Sequence, residues 1–273
     1  MAGKQEVAKA QTTDIATAEM NNDLFGQFAG EGLENVGTKD VLIPRLTIAQ
    51  ALSPQLNKKK PEYIEGAEIG DIIDVGTSER YPDGIIFLPV LYRKDYLEWA
   101  PRDTGKGLQG IHSDPSILDQ CTLNEKKKPV LPNGNLIVET AQFFGLNITG
   151  NRQMSFIPMA STSLKVARKW NTMASGEKLK RGDGSEFTAP LFYRTYKLST
   201  AEESNNEGDW ANWRIERGPT LQEIATELGI DAHQLLAECK KFKDDLIAGA
   251  VAADTSGMDG GAGEGNNDPD AAM

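Results

Sequence analysis

Ile85-Ile86-Phe87-Leu88-Pro89-Val90-Leu91-Tyr92-Arg93-Lys94-Asp95-Tyr96-Leu97-Glu98-Trp99 is the longest strand signal in the chain, and its reading decides the fold. β-branched residues, leucines and aromatics dominate it, the composition of a pleated, half-buried surface. Tyr81-Pro82-Asp83-Gly84 leads into it as a turn: Pro presets φ, and Asp-Gly tolerates the reversal. Working outward, the signal stays β. Arg45–Gln50 alternates after Pro44, and Gly70–Val75 is a short strand. Pro132-Asn133-Gly134-Asn135 is a second turn, leading into Leu136–Ile148. Gln153–Met159, residues 189–199 and residues 210–216 complete the set.

Residues 161–174 change period. Leu164, Ala167 and Trp170 recur every three residues, and Ser161 or Ser163 can cap, so one amphipathic helix is predicted. Five or more strands, turns between them and one helix predict a mainly β (α+β) fold. The preferred version is an OB-like β-barrel over 37–218 with the helix packed on it. Thr220-Leu221-Gln222-Glu223 after Pro219 is a capping box that starts a helical hairpin over 219–247, interrupted at Gly229 and restarted at Asp231. Residues 1–36 and 248–273 are polar and rich in Ala, Gly, Asn and Asp, the composition of disordered ends.

Charge follows the same division. The chain carries a formal net charge of −11. Residues 1–40 hold 3 basic and 7 acidic residues, 41–218 hold 23 and 22, and 219–273 hold 3 and 11. A near-neutral middle with local cationic clusters (Lys58–Lys60, Lys126–Lys128, and Lys178, Lys180, Arg181) therefore lies between acidic ends. Such a middle can bind anions, and an acidic tail can compete for it or engage partners.

Three stretches carry candidate chemistry. In the strand 85–102, Tyr92, Arg93, Lys94, Tyr96, Trp99 and Arg102 interleave aromatics with cations. Alternation places Tyr92, Lys94 and Tyr96 on one face and Arg93, Asp95 and Leu97 on the other. Aromatic platforms beside cations bind single strands with little sequence preference. The same rings can equally fill a core. The helix offers Lys165, Arg168 and Lys169 for phosphate, or simply as its wet face. The glycine-flanked loop 175–187 offers Lys178, Lys180 and Arg181, and the strand after it repeats the mixture with Tyr193 and Arg194. In the helical hairpin, Ala225, Gly229 and Leu235 match helix-turn-helix spacing. The second helix, however, opens on Asp231-Ala232-His233-Gln234, which suits partner contact better than duplex readout.

Catalytic signatures are missing. The chain has no GxxxxGK[ST] loop and no GxSxG, and two histidines and two distant cysteines offer no metal spacing. The expectation is a non-enzyme without cofactor or metal. No apolar run approaches the length of a membrane span and the N-terminus lacks a signal-peptide core, so a cytoplasmic location and no membrane partner are expected.

Ile43-Pro44-Arg45-Leu46, Gly84–Val90, Glu98-Trp99-Ala100-Pro101-Arg102-Asp103 and Ser163–Asn171 together resemble tailed-bacteriophage single-stranded DNA-binding proteins over about 41–217. The resemblance implies an OB-type core, an acidic C-terminal tail that recruits phage replication proteins, and a role coating single-stranded DNA in replication or recombination in the host cytoplasm. Homo-oligomers are compatible with it. The alternative is a phage structural or interaction protein of the particle or its transcription programme. A third reading is a nuclease or annealing accessory whose acids bind metal.

Overall fold

A computed structural model describes residues 28–29, 31–35, 40, 42–101, 104–205 and 208–254. The chain divides into residues 1–37 and 38–273, and everything below concerns the second unit. Expectations that fall on 1–27, Arg102 and 255–273 lie outside the described residues.

Two long antiparallel strands form the spine, β5 (Ile85–Trp99) and β9 (Leu136–Asn147). The register shifts between Pro89 and Leu91, so Val90 is an extra residue in β5. Pro89 cannot donate to a ladder, and a bulge is where a central strand tolerates it. Opposite it sits Gly145. A Cβ there would overlap the Leu88 carbonyl oxygen and lie 2.8 Å from the Phe87 ring.

β13 (Arg194–Asn205) pairs with the first residues of β5, and β14 (Gly208–Thr220) pairs with β13. β10 (Gln153–Ala160) extends the other edge from β9. A backbone bond from Phe156 to the Pro44 carbonyl carries the wall on to β2 (Leu46–Ile48), which pairs with β3 (Ile72–Asp74) and then β4 (Arg80–Tyr81). The Gln50 side chain bonds both the Ala211 carbonyl (2.7 Å) and its amide (3.1 Å), tying this small sheet to β14. The fold is thus mainly β, a curled, barrel-like sheet with a few helices, as the sequence predicts.

One helix plugs the inner face. α1 (Leu164–Ser175) drives Trp170 and Ala167 among Phe87, Phe143, Ile157, Tyr196 and Leu198, all buried. The opposite face of the spine carries a second core. Leu88, Phe144, Leu146 and Phe156 pack there against α2 (Leu221–Glu227) and α3 (Ala232–Ile247) through Ile224, Leu235, Cys239 and Phe242. The capping box at Thr220 and Glu223 forms as predicted, and Asp231 caps α3. The hairpin shares this core with the sheet.

The far end of the spine makes a small lobe that the sequence reading did not separate. β6 (Leu108–His112), a 3-10 turn at Pro115–Gln120, β7 (Thr122–Leu123) and β8 (Pro129–Val130) enclose Tyr96, Ile117, Leu131 and Ile137. β11 (Lys178–Lys180) and β12 (Glu186–Thr188) form a short hairpin. Of the tail expected to be disordered from residue 248, the structure describes residues 248–254, and these include an ordered strand. β15 (Ala252–Ala253) pairs in parallel with β1 (Leu42–Ile43), because Val251 and Ala253 have apolar surface to pack against the outer core.

Candidate nucleic-acid interface

The bulge in β5 fixes which side chains meet. After Val90, Tyr92 lies opposite Phe143 on the inner face and Arg93 lies opposite Gln142 on the outer face. The interleaved residues therefore part company across the sheet. Arg93 gives its Nε to Asp95 at 2.6 Å and Nη2 to Gln142 at 3.1 Å, and its guanidinium sits 5.0 Å over the Phe144 ring. Asp95 is fully buried and also accepts from the Ser113 hydroxyl at 2.7 Å. A buried carboxylate needs such partners, so Arg93 acts first as its counter-ion.

Tyr96 lies in the core of the small lobe, with no face open to a base. Trp99 is half-buried at the far end of β5, paired with Leu136 and Leu108. Lys94 bonds Glu139 at 2.9 Å, and that hydrogen bond holds its ammonium pKa above the ordinary lysine value. Arg194 is spent inside the fold. It donates to the Gly218 carbonyl at 2.6 Å and to Glu177 at 3.0 Å, over half-buried Tyr193.

Helix α1 sorts its cations by position. Lys165 meets Glu203 at 2.9 Å, and Glu203 also takes the Asn212 amide, whose oxygen accepts from Ser163. Burial raises the Glu203 pKa, but the hydrogen bonds from Asn212 and Lys165 outweigh it and leave the carboxyl below its usual range. Lys165 thus fastens the start of α1 to the β13–β14 hairpin. Arg168 and Lys169 are exposed and have no carboxylate within ion-pair distance among the described residues. Their freedom follows from helical period: with Ala167 and Trp170 turned inward, positions 168 and 169 face water.

One turn further along, α1 borders a shallow groove of about 460 Å³ lined by Tyr92, Asn171, Thr172, Ala174, Ser175, Ala189 and Leu191. The β11–β12 hairpin starts and ends beside this groove, since Ser175 and Ala189 both line it, and its base is closed by the Ala189 amide donating to the Glu177 carbonyl at 2.9 Å. On the hairpin, Lys178 bonds Thr188 at 2.6 Å, Lys180 lies 3.9 Å from Glu186, and Arg181 stacks 4.6 Å over Phe187.

The structure places Arg168 on the groove side of α1, one turn before Thr172, with Tyr92 also lining the groove. Lys169 lies about 100° further round the helix, and the hairpin that carries Lys178, Lys180 and Arg181 starts beside the groove between Ser175 and Ala189. The structure separates Arg93, Tyr96 and Trp99 from them. Asn171, Thr172 and Ser175 were missed by sequence reasoning. The signal was present: carried past residue 171, the same helical period sets Thr172 and Ser175 beside Arg168.

Among the described residues no group of three or more His, Cys, Asp and Glu side chains converges as a metal site, and no helix is long and apolar enough to cross a membrane. The chain belongs to the Pam3 phage gp34-like protein family, whose family model matches residues 11–252, and it is therefore a phage protein. No curated protein and no solved structure matches it.

Proposed function

Taking membership of a phage family as the premise, we propose that this protein binds single-stranded DNA through the outward face of α1, the Tyr92 groove and the β11–β12 hairpin. The observation that carries the reading is the pair Arg168 and Lys169. They are exposed, neighbouring cations without an acidic partner among the described residues, on a rigid helix anchored by a buried tryptophan. Free cations on a rigid element can exchange condensed counterions for protein contacts, whereas Lys94, Lys165, Arg93 and Arg194 are already engaged. An aromatic beside them supplies a platform that any base can use. On this reading the protein coats single strands in phage replication or recombination, without a cofactor, in the host cytoplasm. The acidic tail is then offered to phage replication proteins.

Ultraviolet cross-linking of the full chain to a single-stranded oligonucleotide, followed by peptide mapping, tests the assignment. Adducts should fall on Tyr92 and on peptides covering residues 164–191. Adducts confined to α2 and α3, or none at all, would refute it. The alternative, a particle or transcription-programme interaction protein, draws on the consumption of Tyr96, Arg93 and Arg194 by the fold, and the no-adduct result would favour it.

A further inference from the structure

We infer that the groove between Tyr92 and Asn171 is a nucleobase subsite, taking one unstacked base from a strand whose phosphates run along α1. The inference rests on the single-strand reading above and adds to it a ligand part, a place and a contact set.

Three features of the groove select a base over a phosphate or a plain hydrocarbon. Its floor is apolar: Ala174, Ala189 and Leu191 carry no polar side-chain atom. Its aromatic wall is held in place, because the Tyr92 ring packs at 5.1 Å and 54° against buried Phe143. Two polar groups at its edge lack partners. Neither the Asn171 amide nor the Tyr92 hydroxyl makes a hydrogen bond within the described residues, whereas Thr172 and Ser175 spend theirs on the carbonyls of Arg168 and Thr172. Both groups reach solvent and are not held by the fold, so a ligand can replace their water, and a donor–acceptor pair over an apolar floor suits a flat heterocycle with both on one edge. Nucleobases have that edge, and an Asn side chain can meet it with two bonds.

The surroundings suit a nucleotide. Thr172 lies one turn from Arg168, so its Cα is about 6 Å along the helix axis from that cation. Lys94 shares the Tyr92 face of β5. A base in the groove would leave a phosphate over Arg168, with Lys169 next along the outer face of α1.

The test compares two short oligomers of equal length by fluorescence anisotropy with the full chain: oligothymidylate, and an abasic deoxyribose-phosphate strand. Wild type should prefer the base-bearing strand by about fivefold or more, the low end of one stacked base. Asn171→Leu and Tyr92→Leu should each shrink that preference while leaving affinity for the abasic strand unchanged. Asn171→Ser, which keeps a small polar side chain in a half-buried place, guards against misfolding and should shrink it partly. Arg168→Ala with Lys169→Ala should weaken both strands alike. Equal wild-type affinity for the two strands, or an undiminished preference in Asn171→Leu, would overturn the subsite while leaving the single-strand reading intact. Binding to neither strand would fail that reading, and the subsite with it.

Discussion

Trp170 stacks on Phe143 inside the barrel, with ring centroids 3.9 Å apart and planes 17° from parallel. Phe87 and Tyr196 meet the same indole edge-on at 6.2 and 5.4 Å. This aromatic key fixes α1, and with it the direction in which Arg168 and Lys169 point. Trp170→Ala should therefore destabilise the protein by about 3–5 kcal/mol, the range for emptying a large aromatic site in a packed core. Denaturant unfolding measures it. A loss below about 1 kcal/mol would mean that α1 is held by something else.

The neighbouring cations should behave in the opposite way. Arg168→Ala with Lys169→Ala removes exposed side chains that carry no ion pair, so the melting temperature should hold. Single-strand affinity should fall, and the log–log salt slope should flatten by about 0.7 for each phosphate that is no longer neutralised. If each cation neutralises one phosphate, the wild-type advantage should shrink about sevenfold between roughly 50 and 200 mM salt. An unchanged slope with a lowered melting temperature would place both residues in the fold and not at the ligand.

Gly145 tests the bulge. Gly145→Ala would press a methyl group into the Leu88 carbonyl and the Phe87 ring, neither of which is a flexible end. A loss of about 1–3 kcal/mol is expected from overpacking. A neutral result would show that β5 and β9 can separate locally without harm.

Acid should act through Glu98. Its carboxylate accepts from Asn135 at 2.5 Å, from His112 at 2.9 Å and from Asn133 at 3.2 Å. The Asn135 bond, helped by those from His112 and Asn133 against the opposing effect of burial, holds its pKa below the ordinary 4.5. A carboxyl whose folded pKa is depressed stabilises above its unfolded value and loses that contribution as pH falls through the folded one. Stability should thus decline below about pH 4.5, and Glu98→Gln should soften that decline while lowering stability at neutral pH. Parallel acid profiles for the two proteins would contradict the assignment.

Much of the architecture was legible because it depends on local rules. A long run of β-formers after Pro-Asp-Gly, and a capping box before Leu221, need no distant partner to be read. The site was less legible because its members are sorted by distant ones. Tyr92 and Tyr96 share a face by alternation, yet one borders the groove and the other lies under the small lobe, since different elements cover the two ends of β5. Arg194 reads like a ligand residue until Glu177 and Gly218 are seen beside it. The extra residue Val90 also shifts parity, so Leu88 and Leu91 face the same outer core although they stand three apart.

Free cations on α1 beside the Tyr92 groove should make this phage protein prefer single strands, because the cations hold any phosphate backbone while the groove takes a base only from an unpaired strand. The most direct test is equilibrium anisotropy of the full chain with one labelled sequence, offered single-stranded and as a blunt duplex, at two salt concentrations. Tighter binding to the single strand is predicted at both, with affinity falling as salt rises. Equal or tighter binding to the duplex, or no salt-dependent binding to either, would contradict it.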